Sequence, residues 1–243
     1  MTKDVKLYLV GGAVREIVRN NEENIKDWDF SVEADSFEHM RDWMTANGFE
    51  IFVETPDYLT IRARTPKDGF TFAGRDMAGK TFDFALCRTE SGYTDGRRPD
   101  SVQLTKIEYD LSRRDFTMNS MALTEDGDLL DPYKGQDDIQ WEKIRCVGYA
   151  ADRFHEDSLR MIRALRFAVQ LEFDFVYHVH GFLRDHAYML PNIEPNRVRD
   201  ELHKALKINT PLTIEWIVDL DWQSELFSNG LWLEPTHKRR KGQ

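Results

Sequence analysis

Residues 7–15 read LYLVGGAVR, an apolar run that ends at a glycine pair and leads into a second short segment. An apolar run bounded by glycine is typical of a buried strand, and residues 13–20 predict a short helix after it. Glycine at a strand-to-helix turn lets backbone N–H groups approach a ligand, and the start of a helix favours an anion. Arg15 would add a charge-assisted donor. Glycine pairs at tight turns are often plain turns, so both interpretations stay open.

Outward from this stretch, the predicted secondary structure changes near residue 150 from strands to helices. Before it, strands are predicted at residues 28–32, 49–53, 58–63, 70–73 and 81–87, with a helix at 36–47 capped by Ser36. After it, helices are predicted at residues 157–170, 178–186 and 195–206. This order predicts an α+β fold, in which a head with a mixed or antiparallel sheet and helices is followed by an all-α domain. The predicted divisions are residues 1–148, residues 149–210, and a short C-terminal helical and basic extension at residues 211–243.

The composition limits the class of protein. The chain has 243 residues, a net charge of −10 and 41% hydrophobic residues, which is typical of a soluble globular protein. No apolar run is long enough to cross a membrane, so no membrane partner is expected. Cys87 and Cys146 are too few and too far apart for a disulfide scaffold or a cysteine zinc site, and they favour a cytoplasmic location. The negative charge argues against uniform coating of nucleic acid but allows a local basic track.

Two acidic residues form a candidate metal site. Asp27 and Asp29 flank Trp28, and on a strand residues two apart point to the same face. Two carboxylates so close suit Mg²⁺, which takes one or two protein carboxylates together with substrate phosphates. Asp83, between two aromatic residues of another predicted strand, is a candidate third ligand. Two solvated acids on an exposed strand would show the same pattern, so the sequence leaves both interpretations open.

Arginine-rich segments supply candidate nucleotide contacts. Arg113 and Arg114 precede a polar helix start and could clamp a triphosphate, or could be surface charge beside a helix cap. In residues 156–166, EDSLRMIRALR, three arginines fall on one helical face opposite an apolar one. An ordinary solvated face would mix in Lys and Glu, so three arginines favour a site that needs planar, forked donors.

These motifs occur in an order that resembles one enzyme family. The series is Gly11-Gly12-Ala13-Val14-Arg15, Asp27-Trp28-Asp29, Arg113-Arg114-Asp115-Phe116-Thr117-Met118-Asn119, Asp131-Pro132 with Gly135, and Glu156-Asp157-Ser158-Leu159-Arg160. It resembles the class II CCA-adding tRNA nucleotidyltransferase and bacterial poly(A) polymerase family over about residues 7–210. Residues 193–206 resemble the closing neck motif of that family. Glu16 and Ser120 depart from the family pattern, which usually has Asp and Ala there.

The resemblance implies a fold, ligands and site residues. The head would have a polymerase-β-like nucleotidyltransferase fold, and the helical domain would be a neck that selects the nucleotide. Asp27 and Asp29 would be catalytic and would hold two Mg²⁺ ions. The family positions that contact the nucleotide are matched by Gly12, Arg15, Arg114, Asp157, Arg160, Arg163 and Arg166. The implied partners are CTP, ATP and the 3′ end of a tRNA. A homo-oligomer is also compatible with the resemblance.

One pair of these residues has hydrogen-bonding chemistry that would select bases. A carboxylate only accepts hydrogen bonds and a guanidinium only donates them. Cytosine and adenine each place an exocyclic amine beside a ring-nitrogen acceptor, so Asp157 could accept from the amine while Arg160 donates to the ring. Uracil and guanine reverse both groups, and each mispaired buried group costs about 1–3 kcal/mol. The pair would therefore admit C and A and reject U and G.

Other interpretations stay open at this point. The same motifs occur in an A-adding branch of the family, and a chain that had lost catalysis would be an RNA-binding module. Residues 74–81, GRDMAGKT, match the pattern of a P-loop, but the strand predicted after them favours a hairpin turn over an NTPase site. Residues 90–106, with Arg97 and Arg98, resemble a flexible loop of the family. The basic run at residues 238–241 could contact RNA or be a solvated end.

Overall fold

The computed structural model describes residues 5–93 and 99–228. Contacts among these residues divide the chain into two compact units. The first unit contains residues 5–93, 99–141 and 145–148, and the second contains residues 142–144 and 149–228. The boundary between the units is therefore not a single point in the sequence. Residues 142–144 belong to the second unit, whereas residues 145–148 belong to the first.

The first unit is built on one mixed sheet. Its strands are β1 (Lys6–Val10), β2 (Asp29–Glu33), β3 (Glu50–Thr55), β4 (Thr60–Arg64), β5 (Thr71–Phe72), β6 (Arg75–Asp76), β7 (Thr81–Leu86), β8 (Arg88–Ser91), β9 (Ser101–Leu104), β10 (Ala122–Leu123) and β11 (Leu129–Leu130). Its helices are α1 (Gly12–Val18), α2 (Phe37–Ala46), α3 (Ile107–Ser112) and α4 (Gly135–Gln140), with a 3-10 turn at Thr117–Asn119. Within the described residues, the main sheet has the strand order β11-β10-β1-β2-β7-β4-β3. β2 and β7 run parallel and the other neighbours run antiparallel, which confirms the predicted mixed sheet.

Two separate apolar clusters cover opposite faces of this sheet. Alternation along β1 sends Leu9 into one cluster and Tyr8 and Val10 into the other. In the larger cluster Phe30 stacks on Phe84 with ring centroids 5.1 Å apart, and such pairs contribute about 0.5–1.5 kcal/mol beyond burial. The smaller cluster joins β1 to α3. Asp29, the first residue of β2, alternates with Phe30 and therefore lies on the face that α3 partly covers.

The segment that matches a P-loop contains β6, which pairs with β5, and the turn that leads from β6 to β7. β6 ends at Asp76, and β7 begins at Thr81 directly after the lysine of the pattern. Lys80 donates from Nζ to the backbone carbonyl of Asp76 at 2.8 Å, so its ammonium closes the turn. No helix follows it within the described part of the chain until α3. The prediction of a turn in place of a phosphate-binding loop is confirmed.

The second unit is helical. Its elements are β12 (Lys143–Ile144), α5 (Ala150–Glu156), α6 (Leu159–Leu171), β13 (Asp174–Phe175), α7 (Tyr177–Asp185), a 3-10 turn at Ala187–Asn192, α8 (Pro195–Ile208) and α9 (Thr210–Asp219). α6 buries its predicted apolar face, including Met161, Ile162 and Leu165. Over residues 5–93 and 99–228, no helix is long and apolar enough to cross a membrane. The predicted order of a sheet-containing head and a helical domain is confirmed.

Two local predictions were wrong at the ends of elements. Asp27 precedes β2, so the alternation of the strand fixes Asp29 but not Asp27. The helix predicted at residues 157–170 begins only at Leu159, because Asp157 has an extended backbone with φ −149° and ψ 104°. Its carboxylate accepts a hydrogen bond from the backbone N–H of Leu159 at 3.0 Å. Short polar side chains compete with helical hydrogen bonds in this way, and the competition separates α5 from α6.

Candidate nucleotide and metal sites

The acidic part of the candidate site lies at the start of β2. Asp29 is the first residue of the strand, and its register partners are Val10 on β1 and Asp83 on β7. Asp29 keeps a solvent-accessible surface, yet burial against protein atoms raises its pKa, and the charge of Asp83 raises it further. Arg114 opposes this shift in pKa, whereas Asp27 adds to it. A raised carboxyl pKa among like charges marks a place that a divalent cation would stabilise.

The ligand types fit magnesium, although not as a cluster of three acids. Asp83 forms an ion pair with Arg62, its neighbour on β4, with the two atoms 3.5 Å apart. Within the described residues, no group of three His, Cys, Asp or Glu side chains could hold a metal ion. The hard carboxylate oxygens of Asp27 and Asp29 suit Mg²⁺ when substrate phosphates complete its coordination. The structure therefore gives no support to Asp83 as a third ligand.

A glycine turn connects β1 to α1. Gly11 has φ +70°, a backbone conformation that glycine adopts without strain, and Gly12 is the first residue of α1. A Cβ atom on Gly11 would lie 3.5 Å from Nη1 of Arg114. The predicted strand, turn and helix are therefore present, and the turn lies directly beside an arginine of the candidate site.

Arg15 is buried, with its side chain only 6% exposed. Its Nη2 lies 2.8 Å from a carboxylate oxygen of Glu16, and its Nη1 donates to Oδ1 of Asn119 at 2.6 Å. Burial would raise the pKa of Glu16, but hydrogen bonding from Asn21 and the charge of Arg15 lower it. These contacts join α1 to the 3-10 turn, so Arg15 links two parts of the first unit in addition to its predicted nucleotide contact.

The two neighbouring arginines have different surroundings. Arg113 donates to Glu90 at 3.1 Å and to Asp110 at 2.7 Å, which ties the end of α3 to β8. Arg114 reaches Asp110 and Ser31 with Nη2, at 3.1 and 3.2 Å. Its Nε is buried and has no hydrogen-bond partner among the residues that the structure describes. Of the pair, Arg114 is the one whose guanidinium keeps donors for a ligand, so the structure does not support the predicted clamp by both arginines.

Sequence reasoning missed Asp110, a fully buried carboxylate on α3. It accepts hydrogen bonds from Ser31, from the backbone N–H of Arg88, and from both arginines that follow α3. Burial would raise the pKa of Asp110, but Arg114 and Arg113 outweigh burial and lower it, so the group stays ionised. The sequence signal that could have identified it is spacing. Asp110 precedes Arg113 by three residues and Arg114 by four, and residues so spaced are neighbours on a helix surface.

The motif from Asp131 to Gly135 lies at the start of α4, where this helix packs against the 3-10 turn at Thr117–Asn119. Asp131 accepts a hydrogen bond from the backbone N–H of Gly135 at 2.7 Å, at the start of α4. A Cβ atom on Gly135 would clash with the backbone carbonyl of Thr117. The hydroxyl of Thr117 donates to the buried Asp138 at 2.7 Å. These contacts hold α4 tightly against the 3-10 turn.

In the second unit, Asp157 lies between α5 and α6. Its Oδ1 accepts from the backbone N–H of Leu159 at 3.0 Å, and its Oδ2 accepts from Nη2 of Arg197 at 2.9 Å. Because Arg197 belongs to α8, this ion pair ties the connection between α5 and α6 to α8. Both carboxylate oxygens of Asp157 therefore have partners within the protein.

The arginines of α6 are half-buried on the face opposite its apolar residues, and each has protein contacts. Arg160 donates to Glu156 at 2.5 Å. Arg166 forms an ion pair with Glu201 of α8. Arg163 lies over an aromatic ring of the same helix at 5.5 Å. The protein thus orders the three guanidinium groups, and a base that contacts them would share or replace the existing partners.

The segment that resembles the flexible loop is described on either side of a gap. β8 and β9 pair as an antiparallel hairpin, with Arg88 opposite Leu104 and Ser91 opposite Ser101. The predicted arginine pair at residues 97–98 lies outside the described residues, as does the basic run at residues 238–241.

Comparison with known proteins places the chain in a family. Residues 7–145 match a family model described as the poly A polymerase head domain, and this chain belongs to that family. One similar protein is the CCA-adding enzyme of Lactobacillus johnsonii, which is 37% identical over 198 residues. That match covers 81% of this chain and 45% of the relative.

Two solved structures are similar in fold. The CCA-adding enzyme of Bacillus stearothermophilus in complex with CTP is 28% identical with a TM-score of 0.73, covering 90% of this chain and 49% of that one. A tRNA nucleotidyltransferase complexed with a primer tRNA and an incoming ATP analog is 25% identical with a TM-score of 0.72, covering 92% and 59%. This chain spans about half the length of the curated relatives that it matches.

Proposed function

We propose that this chain is a template-independent nucleotidyltransferase that adds C and A residues from CTP and ATP to the 3′ end of a tRNA. The RNA 3′-hydroxyl oxygen would attack the α-phosphorus of the nucleotide, and the bond to the departing pyrophosphate would break. One observation carries the proposal: Asp29 lies opposite Asp83 in the strand register, on the strand whose Ser31 contacts Arg114. Triphosphate chemistry needs this combination of acids for a divalent cation and a guanidinium for phosphate. The names of the similar proteins supply the substrate class.

Asp27 and Asp29 are the residues that would hold magnesium, in the proposed form as two ions. When bound, Mg²⁺ would activate the RNA hydroxyl and stabilise the charge on the departing pyrophosphate. The protein contributes the placement and the charge of the carboxylates. The sheet fixes the backbone of Asp29 through β1 and β7, and Arg114 favours its ionised form against the effect of burial.

Base selection is proposed for Asp157 and Arg160. The carboxylate would accept from the exocyclic amine of cytosine or adenine, and the guanidinium would donate to the ring nitrogen. Arg197 holds Asp157 and Glu156 holds Arg160, so both side chains are ordered by protein partners. A base would therefore meet an acceptor and a donor of fixed position, which favours discrimination over tolerance. Gly12, Arg15, Arg163 and Arg166 remain proposed nucleotide contacts by their match to the family positions.

We also propose that the protein works in the cytoplasm. Cys87 and Cys146 are both buried, and burial raises the pKa of Cys87. A buried thiol with a raised pKa is unreactive, and a chain with so few cysteines is typical of a reducing compartment.

The test of the proposed function is nucleotide addition to defined RNA ends. Labelled CTP and ATP are supplied separately and together, with Mg²⁺, to a tRNA that lacks its 3′ CCA, and the same tRNA with an intact CCA end is the matched control. We expect incorporation of both nucleotides on the shortened tRNA and little on the intact one. Long A tails without C addition would favour an A-adding polymerase of the same family. RNA binding without any incorporation would contradict catalysis and favour an RNA-binding module.

A further inference from the structure

Two residues outside the proposed ligand set hold one end of Arg114. Its Nη2 lies 3.1 Å from Oδ2 of Asp110 and 3.2 Å from Oγ of Ser31. The hydroxyl of Ser31 also donates to the same oxygen of Asp110, at 3.2 Å. The three polar groups therefore form a closed triangle, which we call the Arg114 anchor. One nitrogen of the guanidinium is fixed from two directions by this anchor.

The rest of the guanidinium has no such hydrogen bonds to the residues that the structure describes. Nη1 lies 3.5 Å from the position of a Cβ atom on Gly11, at the turn between β1 and α1. Nε is buried and has no hydrogen-bond partner within the described part of the chain. The side chain of Arg114 is nevertheless 20% exposed, so a ligand can reach part of the guanidinium, and a phosphate oxygen is a strong acceptor for it. The anchored end of Arg114 therefore decides where its remaining donors point.

Burial and strand register make the Arg114 anchor rigid. Ser31 is 2% exposed and Asp110 is 0% exposed. Ser31 follows Asp29 by two residues on β2, so both side chains lie on the same face of the sheet. Asp110 lies on α3, which the smaller apolar cluster packs against β1. The anchor thus ties the orientation of Arg114 to the strand that carries a proposed metal ligand.

We propose that Asp110 and Ser31 are positioning residues that orient Arg114 toward the phosphates of a nucleoside triphosphate. The inference rests on the proposed function, which gives Arg114 a nucleotide to bind. Neither positioning residue would touch the nucleotide, since the donors that they fix belong to Arg114. Arg113 shares Asp110 but is also held by Glu90, so its contacts attach α3 to β8 and do not depend on a ligand.

The test measures binding of CTP and ATP to the whole chain with Mg²⁺, together with KM and kcat for nucleotide addition. Ser31→Ala removes two hydrogen bonds of the anchor and no charge. It should weaken nucleotide binding and raise KM by about three- to tenfold, with a smaller change in kcat, because one or two net hydrogen bonds are lost. The matched control is Ser120→Ala, which removes another buried hydroxyl, one that donates to the backbone carbonyl of Leu111 in α3 at 2.5 Å. That control should leave KM unchanged.

Coupling to Arg114 separates positioning from a structural role. In an Arg114→Ala background, Ser31→Ala should have no further effect on nucleotide binding, because the group that it orients is gone. Asp110→Asn should weaken binding by about ten- to a hundredfold, since it removes the charged acceptor. Asp110→Asn also weakens the ion pair with Arg113, so the thermal unfolding of this variant is measured beside that of Ser31→Ala.

The outcomes distinguish this inference from the proposed function. Additive effects of Ser31→Ala and Arg114→Ala on binding, or equal effects of Ser31→Ala and Ser120→Ala on KM, would overturn the positioning role. Nucleotide binding that follows the expected coupling, in a chain that adds no nucleotide to RNA, would support the positioning role and overturn the proposed activity. A chain that binds neither CTP nor ATP would overturn both.

Discussion

The two candidate ligand regions differ in how their charged groups are paired. In the first unit, Arg114 is held at one end, and its Nε has no hydrogen-bond partner among the described residues. In the second unit, Asp157 is paired with Arg197, and Arg160 is paired with Glu156. A ligand of the first region would add hydrogen bonds to the protein, whereas a ligand of the second would share or replace bonds that exist.

This difference separates affinity from selectivity. A new hydrogen bond to a charged donor contributes about 1.5–3 kcal/mol, and in the proposed function the first region would form such bonds with any nucleoside triphosphate. Replacing one partner by another contributes only the difference between two bonds of similar strength. Selectivity depends on this difference, because a wrong base displaces an existing partner without forming a hydrogen bond of equal strength in its place. We therefore expect the first region to provide binding and turnover, and the second to provide the choice of base.

The largest expected effect comes from the acids of the first region. Asp29→Ala and Asp27→Ala should each lower nucleotide addition by about a thousandfold or more, because a bound divalent ion contributes several kcal/mol of charge stabilisation. Primer extension with labelled CTP and ATP measures the rate, and circular dichroism checks the fold. The matched control is Asp68→Asn, an exposed carboxylate of the same unit, which should keep the unmodified rate. Near-normal turnover of Asp29→Ala would remove the metal assignment.

A smaller but more specific effect is expected in the second region. Asp157→Ala should lower the preference for CTP and ATP over UTP and GTP by about ten- to a hundredfold, because one mispaired contact no longer penalises the wrong base. Competition assays with all four nucleotides measure this ratio. Asp152→Ala, an exposed acid on α5, is the control and should leave the ratio unchanged. Undiminished discrimination in Asp157→Ala would contradict base selection by this residue.

The smallest expected effect concerns the stability of the second region and its dependence on pH. Burial would raise the pKa of Glu201, but Arg166 and Lys204 lower it. A folded pKa below the unfolded value stabilises the fold at neutral pH, and this contribution is lost as the pH falls through the folded pKa. Glu201→Gln should lower the free energy of unfolding by about 1.5–3 kcal/mol at pH 7, and by less under acid conditions. Urea unfolding at several pH values measures the difference.

Lys204→Met is the control for that measurement, because it removes the partner of Glu201 that is 61% exposed. An exposed ion pair contributes about 0–1 kcal/mol, so this variant should change the unfolding free energy by less than Glu201→Gln. Equal losses in the two variants would contradict the importance of the buried pair with Arg166.

The fold class was predictable because burial alternates clearly along the strands. In β7, Phe82, Phe84 and Leu86 are buried, and the residues between them are more exposed, as the pattern predicted. The apolar face of α6 was predictable for the same reason, with helical in place of strand spacing. α5 was missed because it buries only Ala150 and Phe154, too few to give a periodic pattern.

The pairing of charged groups was not predictable, because the partners are distant in the sequence. Arg15 bonds Asn119 across 104 residues, and Ser31 bonds Asp110 across 79. Residue types and local spacing identify which side chains are charged, but only the folded chain shows which charges meet. For this reason the arginine motif was recognised as a whole, while the separate tasks of its two arginines were not.

Gly135 affects how a large mutational survey of this chain should be interpreted. Any side chain there would press on the carbonyl of Thr117, a backbone atom that cannot rotate away. A saturation library would score the position as intolerant to nearly every replacement, much as it would score a residue that touches the nucleotide. Measuring protein abundance alongside tRNA maturation would distinguish the two, because Gly135 variants should lose the protein itself whereas Asp29 variants should accumulate as inactive protein.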